Sequence, residues 1–197
     1  SYQEAREYFE QALEIAKNLA SRFPDDSQAL SNLSASYNGL GLLAYAEGAS
    51  QEARKYYEQA LEIAKKLASR SPDDSQVLHN LSASYNGLGL LARTEGASQE
   101  AQKYYEQALE IAKKLASRSP NDTQALCNLS VSYNSLGLLA KAEGSSQEAR
   151  KFYEQALEIA KKLVSRYPND TQALSALSVS YISLGLLAEA EGASQEA

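Results

Sequence analysis

The chain lacks methionine and tryptophan entirely, and it holds one cysteine, one histidine and four prolines in 197 residues. A single cysteine, Cys127, excludes an internal disulfide framework and favours a reducing compartment, so we expect a cytoplasmic protein. We see no long apolar run and therefore expect no membrane-spanning helix. Because the sequence starts at Ser1 without any methionine, we also expect it to be a piece of a longer protein.

Basic residues are also too few for a nucleic-acid partner. The chain has 19 lysines and arginines against 25 acidic residues, a net charge of -6 and a pI near 5.0. This balance is a poor match to a phosphate backbone, and the paired lysines are offset by neighbouring glutamates. We therefore expect neither a nucleic-acid nor a membrane surface. A hydrophobic content of 44% is sufficient for a sizeable core.

The few prolines reveal an internal repeat. Pro24, Pro72, Pro120 and Pro168 lie 48 residues apart, and four tyrosines, Tyr37, Tyr85, Tyr133 and Tyr181, share that spacing. A fixed period of this kind is typical of stacked repeat architectures. We predict one domain over residues 1–197 with repeat units 1–48, 49–96, 97–144 and 145–192. Residues 193–197 are predicted to begin a truncated further helix.

Each copy is predicted to contain two helices, which we name helix A and helix B. In the second copy, Asp73 is the predicted N-cap of helix A, with Gln76 completing a capping box, and Gly96 is predicted to end the helix. Ser98 is the predicted cap of the following helix B, which continues to Pro120. Apolar residues repeat at steps of three and four along both: Leu78, Leu81, Tyr85, Leu88 and Ala92 on helix A, and Ala101, Tyr105, Ala108, Ala112 and Leu115 on helix B.

These patterns predict an all-α fold of stacked antiparallel helical hairpins with about eight helices. The residues Tyr85-x2-Leu88-Gly89-x2-Ala92, followed by Gly96 and Ala101-x3-Tyr105-x2-Ala108, resemble the tetratricopeptide repeat signature across the whole chain. The resemblance implies a right-handed superhelical solenoid. The period of 48 exceeds the usual length of about 34, and Ala92 stands where the family prefers tyrosine. The small residues Gly41, Gly89, Gly137 and Gly185 are predicted to allow a partner tyrosine to approach closely.

The same resemblance implies that helix A lines a concave peptide-binding groove. This places His79, Ala83, Asn86, Leu90 and Arg93 on the groove stripe of the second copy, where the copies differ more than on the core stripe. The predicted binding residues are asparagines (Asn38, Asn86, Asn134), leucines (Leu42, Leu90, Leu138), and Tyr45, Arg93, Lys141 and His79. The asparagine amides are predicted to bind a peptide backbone. Arg93 and Lys141 would suit an acidic or phosphorylated side chain or a carboxylate.

Alternatives remain open at several of these positions. The asparagines could form a solvated row without a ligand, Leu90 could pack against the neighbouring helix A, and Arg93 and Lys141 could be ordinary surface charges. The leading hypothesis is a protein-binding or peptide-binding scaffold. The second is a self-assembling array, because the chain starts with a lone helix B and ends with a lone helix A, whose apolar faces could meet head to tail. An RNA-reading helical array fits the charge poorly.

Catalysis is not expected, because the chemistry needs clustered titratable groups. The only histidine and the only cysteine, His79 and Cys127, occupy equivalent positions in successive copies and form no triad. The glutamates lack the paired spacing of a metal site, and no glycine-rich phosphate loop follows a strand. We therefore predict a non-enzymatic protein that needs no cofactor.

Overall fold

The computed structural model describes residues 2–196, with side chains described through residue 192. The chain forms two compact units, Ser1–Ala97 and Ser98–Ala197, and each is described by itself. The helices of the first unit are α1 (Tyr2–Arg22), α2 (Ser27–Ala46), α3 (Ser50–Arg70) and α4 (Ser75–Thr94). Those of the second unit are α5 (Ser98–Arg118), α6 (Thr123–Ala142), α7 (Ser146–Arg166) and α8 (Thr171–Glu196). Even-numbered helices are helices A and odd-numbered helices are helices B.

The predicted all-α class and the antiparallel hairpin repeat are confirmed. In the first unit, α2 packs against α1, α3 and α4, and α3 packs against α4; α6, α7 and α8 repeat this pattern in the second unit, where α5 packs on α6. The predicted single array over residues 1–197 stays a prediction.

Every helix A begins at an aspartate, but one residue later than predicted. In α4 the N-cap is Asp74, whose side chain accepts a hydrogen bond from the Val77 N–H at 3.0 Å. The predicted cap Asp73 lies outside the helix. The predicted capping box is also wrong, because Gln76 is only the second helical residue and instead donates to Asn80 Oδ1 at 3.2 Å. A one-residue shift of the cap therefore changes the role of the glutamine.

The end of helix A follows the prediction at Gly96. Its φ of +78° is a left-handed conformation that glycine adopts without steric cost. The Gly96 N–H donates to the Arg93 carbonyl and the Ala97 N–H donates to the Ala92 carbonyl. This pair of bonds is a Schellman motif, which satisfies the last carbonyls of the helix and lets the chain reverse into helix B.

Helices α3 and α7 begin without a side-chain cap. The predicted cap Ser98 is the first helical residue of α5. At the equivalent start of α3 the N-cap is Ala49, which has no side-chain acceptor, and Ser145 at the start of α7 makes no cap bond either. The preceding Schellman motif already fixes the chain direction here. A second cap is therefore not needed to start the helix.

The core stripes predicted for the second copy are confirmed as buried, whereas Leu174 and Tyr181 of the equivalent stripe on α8 are 44% and 52% exposed. On α4 the stripe runs from Leu78 at 5% exposure to Ala92 at 0%, and on α5 every predicted stripe residue is at most 3% exposed. Between helices the core forms clusters such as Leu13, Tyr37, Leu40 and Ala60 in the first unit. Burial of each large apolar side chain contributes roughly 1.5–3 kcal/mol. These stripes hold the hairpins together.

Bare glycine backbones accept aromatic rings from helix B, as predicted. A Cβ built on Gly41 would lie 2.8 Å from the Tyr57 ring, and one on Gly137 would lie 2.5 Å from the Tyr153 ring. Tyr57 also covers Gly87 of the next helix A. Gly185 differs, because no atom lies within 4 Å of its Cβ position. The prediction of a close contact at Gly185 is therefore wrong within the described residues.

Helix α8 departs from the repeat in two ways. It continues through Gly192 to Glu196, so residues 193–196 extend α8 where a new helix was predicted, and Ala197 lies outside the described residues. The expectation that the chain has no long apolar run is also wrong. Residues 171–192 have a mean hydropathy of 1.5 and are long and apolar enough to cross a membrane, with 22% of that stretch buried. Length and composition alone are weak evidence of a span, because α8 copies the composition of core helices.

We predict that the Gly137→Ala and Gly185→Ala variants change stability in opposite directions. At Gly137 the new methyl group collides with the ring of the fully buried Tyr153, which should cost about 1–3 kcal/mol through overpacking. At Gly185 the methyl group meets no atom of residues 2–192, so the better helix propensity of alanine should stabilise by up to about 1 kcal/mol. Urea unfolding followed by circular dichroism measures both free energies. Equal effects of the two substitutions would contradict the assigned contact.

A second prediction concerns the aspartate cap. Asp170 Oδ1 accepts a hydrogen bond from the Ala173 N–H at 2.8 Å, whereas its neighbour Asn169 is exposed. Asp170→Ala should lower the free energy of unfolding by about 1 kcal/mol. Asn169→Ala is the matched control and should leave it within about 0.5 kcal/mol of the parent chain. A larger loss for Asn169→Ala than for Asp170→Ala, measured by urea unfolding, would show that the cap is assigned to the wrong residue.

Candidate functional site

One face of each helix A points away from helices B, and we call it the A face. On α2 this face carries Ala35 and Leu42, and on α6 it carries Val131 and Leu138. The exposed fractions are 59% for Leu42, 50% for Val131 and 42% for Leu138. Leu90 on α4 is only half-buried. The predicted leucine stripe is therefore accessible, whereas the core stripe of the same helices is closed.

In the first unit the predicted binding residue Asn38 connects two helices. The Asn38 Nδ2 donates to the Asn80 carbonyl at 3.2 Å, and its Oδ1 accepts from Ser84 Oγ at 3.0 Å. Both hydrogen-bonding groups of this amide thus join α2 to α4. The Asn38 amide therefore connects two helices in this arrangement, and its predicted contact with a peptide stays a prediction.

A second asparagine closes the A face between α2 and α4. Asn80 is 6% exposed, and its Nδ2 donates to the Ser31 carbonyl at 3.0 Å and to Ser31 Oγ at 2.9 Å. Sequence reasoning missed this residue, because the stripe was drawn through His79 instead. The space between the two helices is therefore filled by a satisfied polar network.

The remaining predicted residues of α4 are half-buried. Asn86 has a buried Oδ1 and Arg93 a buried Nε, and neither atom has a hydrogen-bond partner among the described residues. His79 and Tyr45 are half-buried as well. These side chains lie on the predicted stripe but expose only part of their surface.

The second unit has a different arrangement at the equivalent place. Position 176, equivalent to Asn80, is alanine, so no amide reaches from α8 to α6. The Asn134 Nδ2 donates to Ser180 Oγ at 3.4 Å, but the buried Asn134 Oδ1 has no partner among the described residues. A cavity of about 390 Å³ opens between α6 and α8. It is lined by Gln124, Cys127, Asn128, Ser130, Val131, Asn134, Thr171, Gln172, Ser175, Ala176 and Val179.

The wall of this cavity is mostly apolar. Cys127 is 7% exposed and occupies the position of Ser31. Burial raises the pKa of the Cys127 thiol, with smaller contributions from the Asp170 and Asp122 carboxylates, so the thiol stays protonated near neutral pH. Val179, 46% exposed, stands on the opposite helix. The accessible wall is thus largely apolar in area, although seven of its eleven lining residues are polar.

The two predicted basic residues lie in different units. Arg93 belongs to α4 and Lys141 to α6. The Lys141 Nζ donates to the Leu186 carbonyl of α8 at 3.0 Å. This contact occupies one of its three donors and leaves the others for a ligand.

Charged residues of helix B have structural roles. Arg54 pairs with Glu95, and Arg150 pairs with Glu191, at the C-terminal end of the following helix A. Arg6 bonds Glu52 as well as Glu47, and the Arg6 hydrogen bonds lower the pKa of Glu52. A lysine of each helix B also lies over the signature tyrosine of the next helix A, as with Lys65 over Tyr85 at 5.5 Å. These groups tie successive helices together.

Within the side chains described, no three His, Cys, Asp or Glu residues converge as metal ligands. Sequence comparison between copies could have found the cavity. Position 176 is the only one of four equivalent residues that is not asparagine, and Val131 and Val179 replace the alanines Ala35 and Ala83. The three changes coincide at one place only because α6 and α8 pack side by side.

Comparison with known proteins agrees with this geometry. Tetratricopeptide repeat models match residues 128–197 and 1–19, and a model described as protein of unknown function (DUF2753) matches residues 35–139. No curated protein matches the sequence.

Solved structures share the fold at low sequence identity. A de novo designed helical repeat protein is 20% identical with a TM-score of 0.64, and the match covers 94% of each chain. A tetratricopeptide protein from Thermus thermophilus is 20% identical with a TM-score of 0.52, over 92% of this chain and 100% of that one. A point variant of nearly identical tetratricopeptide-like repeats from a Podospora anserina putative kinesin light chain is 24% identical, with a TM-score of 0.51 over 99% and 90%. The chain therefore belongs to the tetratricopeptide repeat proteins and, through residues 35–139, to the family described as protein of unknown function.

Proposed function

We propose that the chain is a cytoplasmic, non-catalytic scaffold that binds an extended peptide or protein segment along the A faces of its helices. The exposed leucines carry this proposal. Leu42 in the first unit, and Leu138 and Leu186 in the second, are 42–59% exposed, whereas their neighbours Leu43, Leu139 and Leu187 are buried. Exposed apolar groups of this kind mark binding sites on folded proteins.

The polar residues indicate which chemical groups of a ligand the A faces would bind. Because the Asn38 amide is engaged between helices, recognition of a peptide backbone falls to other groups. Apolar side chains of the ligand would bury against the leucines, and each such burial contributes about 1.5–3 kcal/mol. An acidic group of the ligand could reach the free donors of Lys141, which would add a salt-sensitive contribution.

Selection of peptides from a random displayed library on the intact chain tests this function. The selected peptides should lose at least about tenfold in affinity when Leu138 is replaced by lysine, because a charge then occupies the apolar stripe. Gln107→Lys adds the same charge on an exposed position of α5 outside the A face and is the control. Isothermal titration measures the affinities. Peptides that bind parent chain and Leu138→Lys equally, or a library that yields no binder, would contradict the proposal.

A second candidate function is self-assembly, and two complementary surfaces favour it. Gly185 of α8 has open space where Gly41 and Gly137 accept an aromatic ring. At the other end of the chain, Phe9 of α1 stands at the position of Tyr57 and is 39% exposed. Tyr57 covers two glycines, whereas Phe9 covers only Gly39.

We call the open space beside Gly185 the socket. The exposed side of the Phe9 ring is an aromatic surface of the kind that packs on Gly41 and Gly137, so it matches the socket. In a head-to-tail contact, α1 of a second copy would take the place of a helix B beside α8. The contact surface would include the exposed apolar residues Leu174, Tyr181 and Ile182. Because donor and acceptor surfaces differ, such contacts can continue without closing.

The weight-average mass of the 197-residue chain should then rise above 21.4 kDa with concentration in analytical ultracentrifugation. Gly185→Leu fills the open space beside Gly185, where the added Cβ meets no atom of the described residues, and should keep the chain monomeric at every concentration. Gln172→Leu places the same side chain on an exposed position of α8 away from the socket and should associate like the parent. A parent chain that stays monomeric throughout, or a Gly185→Leu variant that associates equally, rules out this contact.

A further inference from the structure

Three glutamates of the first unit surround an arginine of α1. The Arg6 guanidinium forms a bidentate pair with the Glu52 carboxylate, in which Nη1 donates to Oε1 at 3.0 Å and Nη2 donates to Oε2 at 3.2 Å. Nη2 also bonds the Glu47 carboxylate, and Glu10 Oε1 lies 3.7 Å from Nη1. The Tyr56 hydroxyl donates to Glu52 as well. The Arg6 side chain is only 25% exposed, so its neighbours enclose most of the guanidinium group.

The equivalent place in the second unit keeps the three glutamates and loses the arginine. Glu106, Glu143 and Glu148 correspond to the glutamates of the first unit. Position 102 is glutamine, although the other three copies have arginine there. Gln102 donates to Glu106 at 2.9 Å but carries no charge. Phe152 stands at the position of the tyrosine and has no hydroxyl. Both side-chain donors of the first unit are therefore missing beside Glu148.

A pocket of about 200 Å³ lies at this place between α5, α6 and α7. Its wall contains the three glutamates, Gln102, the half-buried Phe152 and four buried apolar residues, which are Leu109, Leu136, Leu139 and Ala140. The glutamates and Gln102 are exposed, so a ligand can reach them from solvent. Among the described residues, no basic side chain lines the pocket. The pocket therefore combines accessible negative charge with an apolar floor.

These groups favour a guanidinium ligand over other cations. A guanidinium group binds a carboxylate through two parallel N–H donors, as Arg6 does with Glu52. It also stacks on aromatic rings such as that of Phe152, and the alkyl stem of an arginine packs well on apolar side chains. An ammonium group is a compact and strongly hydrated charge without the planar pair of donors. An apolar cavity of roughly 150 Å³ holds benzene, so this pocket has room for the smaller guanidinium group.

We propose that the pocket between α5, α6 and α7 is a docking site for an arginine side chain of a partner protein, whose guanidinium takes the place that Arg6 occupies in the first unit. The equivalent glutamates of the same chain bind a guanidinium there, and this observation carries the proposal. Their occupant is a side chain presented by a protein helix, which favours a protein as the partner. Because the pocket lies on helices B and the core side of α6, it goes beyond the proposed function of the A faces.

A blocked arginine tests the pocket without knowledge of the partner. N-acetyl-arginine N-methylamide carries the side chain without charged termini, and the citrulline analogue replaces the guanidinium by an uncharged urea of the same shape. Titrations of the intact ¹⁵N-labelled chain, followed by NMR, should show saturable shifts for the backbone amides of Gln102, Glu143, Glu148 and Phe152. A fragment of this size should bind in the millimolar range. The citrulline analogue and the lysine analogue should bind about tenfold more weakly, because each lacks either the charge or the planar pair of donors.

Matched variants tie the shifts to the pocket. Gln102→Arg supplies the side chain that the other copies have and should abolish binding of the blocked arginine. Gln107→Arg adds the same charge at an exposed position of α5 outside the pocket and should bind like the parent chain. Arg6→Gln removes the occupant of the first unit and should give a second set of saturable shifts, at the amides of Glu47 and Glu52.

Each of these measurements can contradict the proposal. Absence of saturable shifts at the pocket, or equal binding by the parent chain and Gln102→Arg, would overturn the docking site. Loss of binding in Gln107→Arg as well would attribute the effect to net charge and would overturn it too. Equal affinity for the arginine, citrulline and lysine compounds would rule out recognition of a guanidinium. Free L-arginine that binds more tightly than the blocked compound would assign the pocket to the amino acid and not to a partner protein.

Discussion

The contact of an aromatic ring with a bare glycine backbone sets the spacing between helices in this repeat. Tyr57 lies on Gly41 of the preceding helix A and on Gly87 of the next one, so a single ring determines two helix separations. Tyr153 is fully buried on Gly137, but position 183, equivalent to Gly87, is serine. Glycine within a helix costs roughly 1 kcal/mol relative to alanine, and the ring contact offsets this cost. Side chains between helices A must fit the distance that the rings allow.

That distance determines which polar groups of neighbouring helices A can form hydrogen bonds with each other. Where helices lie close, a buried amide must find partners on the neighbouring helix, as Asn38 and Asn80 do. At the equivalent place in the second unit Ala176 has no amide to offer Cys127, and Asn134 bonds only Ser180 Oγ among the described residues. The repeat thus fixes the backbone, and single substitutions decide whether a given interface is closed and polar or open and apolar.

Much of the fold could be predicted from the sequence because its signals are periodic. The 48-residue spacing and the apolar stripes recur along the chain, and Gly96 acts only on its own turn. The structure buries the stripe residues of the second copy and ends α4 near Gly96, as these patterns predict. The N-cap was misplaced because Asp73 and Asp74 are chemically alike, and only geometry distinguishes them. The extension of α8 past Gly192 was missed because Gly192 is equivalent to Gly96, which ends α4, and a repeated sequence predicts the same end in both helices.

The candidate site was less predictable for a different reason. A stripe drawn on one helix shows which residues share a face, but not which of them meet the next helix. Asn38 was therefore expected to be open although its amide bridges α2 and α4, whereas Leu42 on the same face is exposed. The cavity depends on residues 127 and 176, which are about one repeat apart in sequence and adjacent only through helix packing. In a chain of nearly identical copies, the backbone repeats from copy to copy, so binding specificity must come from the few positions where neighbouring copies differ.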